Sequence, residues 1–351
     1  MISLKYIEIE QPIGSFYFTK MKATTLGELV NITPRSADPS AIQRDESKDR
    51  ITEIAKYCSD PDATFPTPII VGIYDNVSYQ IKDTVIEFES NQTIGEVIDG
   101  QHRLKGLLKS NFAERFELPV VLLFDLTEEE KAYIFSIINS KQTKVSMSLI
   151  YDLFALSRYR SPQKTAHEIA RSLNKYPESP FFNRLKMLGN KEESQEKATL
   201  SQGTFVKHFI ELLSKDPDDD FRKSKNNVPL TQIQSLPLRQ YFLDGQDEII
   251  LKITLNLFSA LKDVFMDLWE NPSKNILWKS TGYVAIIKSF DELYRIGDSN
   301  NDLSKNFFKD CFAKFRNKLE EQGLTLTSQH FPSNAQQQAR LSKILIDSIK
   351  S

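Results

Sequence analysis

Glu96-Val97-Ile98-Asp99-Gly100-Gln101-His102-Arg103 is the stretch on which the fold turns, because a short apolar strand here gives way to a helix. Leu104, Leu107 and Leu108 are spaced for one helical face over 101–109. Gly100 permits a tight turn between the two elements, since it adopts positive φ at no steric cost. The N–H groups that open the helix then form a natural anion site. Arg103 adds a guanidinium fork that suits phosphate, and His102 can donate a hydrogen bond or shuttle a proton near neutral pH. Asp99 could orient the histidine, accept from the turn amides, or bind a ribose hydroxyl or a metal ion. The plainer reading has Asp99 as a cap, Gly100 as a turn, and His102 and Arg103 on a solvated face.

Around this point the first half alternates strands and helices. Ile2–Ile9 and Gly14–Thr19 predict a hairpin about Gln11-Pro12, and 46–57 predicts a helix through Ile51, Ile54 and Cys58. Pro68–Tyr74 and Leu118–Leu126 read as buried strands, with Asp83–Glu89 as a further strand. Thr127 predicts a helix N-cap, with Glu128, Glu129 and Glu130 in the first turn where the macrodipole favours them. The second half shows helical periodicity over 147–160, 164–176, 201–215, 247–270, 283–294, 303–322 and 334–351. Gly189–Gln195 and Asp216–Val228 read as polar loops. The expected class is α+β: a mixed α/β domain over 1–148, then an all-helical domain over 149–351.

At 351 residues, 40% apolar and 26% charged, the composition is that of an ordinary globular chain of about two domains. Lys and Arg number 45 against 47 Asp and Glu, so contact with nucleic acid would need a local patch. Cys58 and Cys311 stand far apart, which excludes a disulfide scaffold and a cysteine zinc site, and no metal site is expected. Acidic residues interrupt the first ten before an apolar segment forms, and no run approaches the roughly 20 residues of a membrane span. The protein is expected to be soluble and cytoplasmic, without a membrane partner.

Three other histidines compete with His102. His167 reads as a surface or edge histidine, His208 as a packing residue beside Phe205 and Phe209, and His330 as a loop residue. Trp269 and Trp278 read as packing anchors, and Asp244-Gly245-Gln246 as a turn before a helix. Asp216-Pro-Asp-Asp-Asp220 could bind a cation but reads more simply as part of a solvated loop. No Walker A, GxGxxG or HExxH pattern is present.

The Asp99–Arg103 string, the segments 43–44, 50–57, 64–71, 118–121 and 138–142, and more loosely 200–206 and 277–283, resemble the DGQHR-domain family, which includes DndB and is related to the ParB/sulfiredoxin-like nucleotide-binding fold. The resemblance implies a ParB/sulfiredoxin-like first domain and a place in a bacterial DNA-modification or defence system, of phosphorothioate or deazaguanine type. It implies nucleotide binding, with ATP hydrolysis among the family's activities, or alternatively a DndB-like DNA-binding transcriptional regulator without catalysis. Carried over by position, His102 and Asp99 would be catalytic. Gly100, Gln101 and Arg103 would cradle phosphates, joined by Arg44, Asn139, Lys141 and Gln142, with Arg50 a further neighbour. ATP or another nucleoside triphosphate, with Mg²⁺, is the implied cofactor. DNA and other modification proteins are the implied partners, and self-association stays open. Gln101 stands where sulfiredoxin carries its cysteine, so that chemistry does not transfer.

Overall fold

The two apolar runs read as buried strands pair with each other, in parallel, inside one sheet. The computed structural model describes residues 1–32, 47–89, 92–140, 146–187, 195 and 197–350. The chain divides into two compact units, Met1–Thr143 and Lys144–Ser351.

In the first unit, Ile2–Ile9 breaks at Tyr6 into β1 (Ile2–Lys5) and β2 (Ile7–Gln11), which enter different sheets. β2 turns at Pro12-Ile13 into β3 (Gly14–Lys22), the hairpin expected there. Then come α1 (Ala23–Leu29), β4 (Val30–Asn31), α2 (Lys48–Tyr57) and β5 (Ile69–Ile73). β6 (Tyr79–Lys82), β7 (Val85–Phe88), β8 (Gly95–Asp99), α3 (Gln101–Lys109), β9 (Glu117–Leu123) and α4 (Glu128–Ser140) complete it. The main sheet runs β2-β3-β9-β5-β8-β4 and mixes both directions; β1-β7-β6 is a small antiparallel sheet.

Alternation along the strands explains why those runs are apolar throughout. Val71, Val97, Val120 and Leu122 point to a core shared with Ala23 and Leu26 of α1 and Leu104 and Leu107 of α3. Ile98, Val121 and Leu123 point the other way, toward Ile134 and Phe135 of α4. A strand covered on both faces has no polar side to show. At β5–β8 the register slips: Ile70 faces Asp99 but Val71 faces Val97, which leaves Ile98 as an extra residue on β8. α4 begins in a reciprocal cap. The Glu130 amide donates to Thr127 Oγ1 (3.2 Å), and the Thr127 amide donates to Glu130 Oε2 (2.9 Å).

The second unit is helical, apart from a two-residue parallel pairing of β10 and β11 among the described residues. It runs α5 (Met147–Phe154), α6 (Pro162–Lys175), β10 (Leu185–Lys186), β11 (Leu200–Ser201) and α7 (Gln202–Phe209). α8 (Pro217–Lys225), α9 (Arg239–Leu243), α10 (Asp247–Val264) and α11 (Met266–Trp269) follow, then α12 (Ser280–Ser299), α13 (Lys305–Glu321) and α14 (Ala335–Lys350). Phe205 and Tyr283 stack at 4.9 Å in its core, where Trp269 and Trp278 are also buried.

Two expectations are corrected here. Most of 216–228 is helix rather than loop: Asp216 caps α8 by accepting from the Asp219 amide (3.1 Å), Pro217 opens it, and Asp218–Asp220 sit in its first turn, while 226–228 follow its end as turn and coil. Asp220 is buried against Arg239, so it is not a cation ligand. His167 is not at the surface but fully buried on α6, because the helix turns it inward beside Ala166 and Ala170. His208 hydrogen-bonds Glu211 (2.8 Å), and His330 accepts from the Thr325 amide (2.8 Å). Of Gly189–Gln195, only Gln195 is among the described residues. No helix among them is long and apolar enough to cross a membrane.

Candidate functional site

Gly100 stands at the end of β8 with φ +100°, in the left-handed region, and serves as the N-cap of α3. A Cβ there would lie 2.4 Å from Ile69 Cδ1, so both backbone conformation and space call for glycine. Glycine as cap brings no side chain of its own to the first turn of α3. Its opening amides have no intrahelical acceptor, and the positive end of the helix dipole faces the same way. The Leu104 amide makes the first intrahelical bond, to Gly100 O (3.0 Å).

Arg103 is turned back into the protein. Nη1 donates to Thr67 O (2.5 Å) and Thr67 Oγ1 (2.6 Å); Nη2 donates to Pro68 O (3.1 Å) and Asp99 Oδ2 (3.0 Å). The fork thus ties the turn to the segment that leads into β5, and Asp99 closes the clamp. Burial pulls the Arg103 pKa down from its ordinary value while Asp99 opposes that shift. An arginine so placed stays charged, held by fixed partners.

His102 connects the turn to the neighbouring helix. Its Nε2 accepts from the Ser47 amide (3.3 Å), and Ser47 caps α2 by accepting from the Arg50 amide (3.3 Å). That bond assigns the neutral ring's proton to Nδ1. α2 and α3 cross closely at Gly106, where a Cβ would lie 2.4 Å from Ile54 Cγ2. Gln101 is buried.

The structure therefore brings Asp99, Gly100, Gln101, His102 and Arg103 together at one turn, with the first turn of α2, which carries Arg50, beside it. Arg44, Lys141 and Gln142 lie outside the described residues, and of Asn139 only its place in α4 is described. Sequence reading missed Thr67, Pro68 and Ser47, which hold the turn. Among the described residues, no group of three or more His, Cys, Asp or Glu side chains could hold a metal ion.

Fold and turn define a mixed α/β unit organised around a helix-opening glycine, followed by a helical unit. The family profile described as DndB, DNA-sulfur modification-associated, matches residues 4–235. With well over half of its length matched, the chain belongs to the DndB family. Among curated proteins, none matches the sequence. Among solved structures, the C-terminally truncated chromosome-partitioning protein ParB from Caulobacter crescentus, complexed with CTP-gamma-S, is similar over 65% of this chain and 86% of that one. Identity is 9% and the TM-score 0.30, a likeness that bears on neither ligand nor function.

Proposed function

We propose that this DndB-family protein binds a nucleoside triphosphate at the turn that opens α3, in the service of a DNA-sulfur modification system. The observation that carries the reading is the left-handed Gly100, which opens α3 without any side-chain cap. Uncapped amides at the positive end of a helix suit a phosphate, and a glycine lets it approach the backbone closely. The turn is stiff, because Arg103 and Asp99 clamp it to Thr67 and Pro68. In this reading the amides of Gln101, His102 and Arg103 bind, while the Arg103 side chain is framework.

The same engagements support binding rather than hydrolysis. Asp99 is paired with Arg103, and His102 Nε2 is taken up by the Ser47 amide. The residues present fit a phosphate; they do not fit a dedicated Mg²⁺ site, so the ion would come with the triphosphate's own oxygens. Calorimetry with ATP and with CTP, each with Mg²⁺, tests the proposal. Wild type is expected to bind one of them saturably. His102→Asp, which a helix N-terminus tolerates but which repels phosphate, is expected to weaken binding roughly tenfold or more with the circular dichroism spectrum unchanged. Absence of binding by either nucleotide overturns the reading.

A second reading, a DNA-binding regulator without catalysis, is favoured by one observation. The family match runs to residue 235, well into the helical unit, so the shared element is larger than the turn.

A further inference from the structure

The main sheet ends on one side at β2, which pairs with β3 and has no strand beyond it among the described residues. All five residues of β2 are exposed, Ile7 at 70% and Ile9 at 39%. An edge strand turns the N–H and C=O of every second residue away from its neighbour. β2 therefore offers a row of backbone donors and acceptors to an added strand. Three strands separate it from β8, which carries the α3 turn.

The two faces of β2 differ in chemistry because Ile7-Glu8-Ile9-Glu10 alternates. Ile9 stands opposite Phe16, which stands opposite Leu123; Ile7 stands opposite Phe18, which stands opposite Val121. Two apolar rows thus run outward across the sheet. Their inner part packs with Ile134 and Phe135 of α4, and their outer ends, Ile7 and Ile9, are open. The opposite face carries Glu8 and Glu10. Glu8 takes a hydrogen bond from the Tyr17 hydroxyl, and neither carboxylate has a cationic partner among the described residues.

Charge selects the occupant. Two carboxylates along the edge repel the phosphates of a nucleic acid. A second copy is disfavoured as well, because antiparallel pairing of β2 with itself that keeps the isoleucines on one face sets glutamate opposite glutamate. A strand that alternates apolar with basic residues meets both faces. Its apolar side chains extend the rows past Ile7 and Ile9, and its Lys or Arg side chains oppose Glu8 and Glu10.

We propose that β2 takes up an extended segment of a partner protein, alternating apolar and basic residues, as the next strand of the main sheet. The site is separate from the α3 turn and does not depend on a bound nucleotide. The test is fluorescence anisotropy of a labelled peptide of alternating valine and lysine, added to the full chain. Saturable binding is expected, and a peptide of the same composition with its valines and lysines in separate blocks is expected to bind roughly tenfold more weakly or worse. N-methylation of the valines and N-methylation of the lysines block opposite edges of the peptide, so one is expected to abolish binding and the other to spare it. The double variant Glu8→Lys/Glu10→Lys, at exposed side chains, is expected to reverse the preference toward alternating valine and glutamate. Absence of binding, equal binding by the block peptide, equal effects of the two N-methylations, or a preference that survives the charge reversal overturns the proposal. Sedimentation of the chain with and without the peptide covers the other occupant: self-association that the peptide competes away would give this edge to a second copy and likewise overturn it.

Discussion

Arg103 shows how far a side chain's partners can lie from the motif that contains it. Within the pentapeptide it reads as a phosphate ligand; in the fold it holds Thr67 and Pro68, far upstream in sequence. Three acceptors on one segment require the planar fork, which a lysine ammonium does not reproduce. Arg103→Lys is therefore expected to lower stability by about 2 kcal/mol, read as a fall in the urea midpoint at unchanged slope. Wild-type stability in that variant would show that charge alone holds the turn. The turn was legible in sequence, because glycine between a strand and a helix has a local cause. The clamp was not, because nothing in residues 99–103 names its partner. His167 was misread for a related reason: Glu168 and Arg171 make its surroundings look polar, and the inward stripe is completed only by Gln202 on another helix.

Between elements, glycine sets how closely helices approach. A Gly→Ala change inside a helix usually stabilises it by about 1 kcal/mol. At Gly106 the new Cβ would meet Ile54 Cγ2 at 2.4 Å and Ile54 Cβ at 2.6 Å, and a β-branched side chain has little room to turn away. Overpacking of that kind costs about 1–3 kcal/mol, so Gly106→Ala is expected to destabilise despite its helix propensity. Gly27→Ala is the control. Its Cβ would meet the methyl groups of Leu108, a partly exposed and flexible side chain, and a near-neutral effect is expected by thermal denaturation. The central strands and long helices were legible because their periodicity is local. α8 had every start signal, with Asp216 before Pro217 and three aspartates in the first turn, yet its charge density made it read as a loop. Its burial depends on Arg239, which grips Asp220, Thr231 O and Leu213 O from a later segment.

For the whole molecule, the balance of 45 basic against 47 acidic residues limits what long-range attraction can do. If the regulator reading is right, retention of DNA depends on sequence and on few phosphate contacts. A gel-shift series with the protein's own upstream region is expected to show a shallow dependence on salt, on the order of one unit of slope per phosphate contacted. A random duplex is expected to run free at physiological salt. Tight retention of random DNA with a steep salt slope would contradict both the charge balance and that reading.

The extra residue at Ile98, where β5 faces Asp99 and then Val97, gives the main sheet a place where length matters more than identity. Side chains in a strand alternate sides, so losing one residue there would regularise the ladder and turn Asp99 to the opposite face of the pleat. Gly100 and the start of α3 would swing with it, away from Thr67 and Pro68. Across descendants of this chain, substitutions along β8 can be absorbed one at a time by repacking. A single-codon deletion there would dismantle the turn at once, so the number of residues between Val97 and Gly100 matters more to the site than the identity of any one of them.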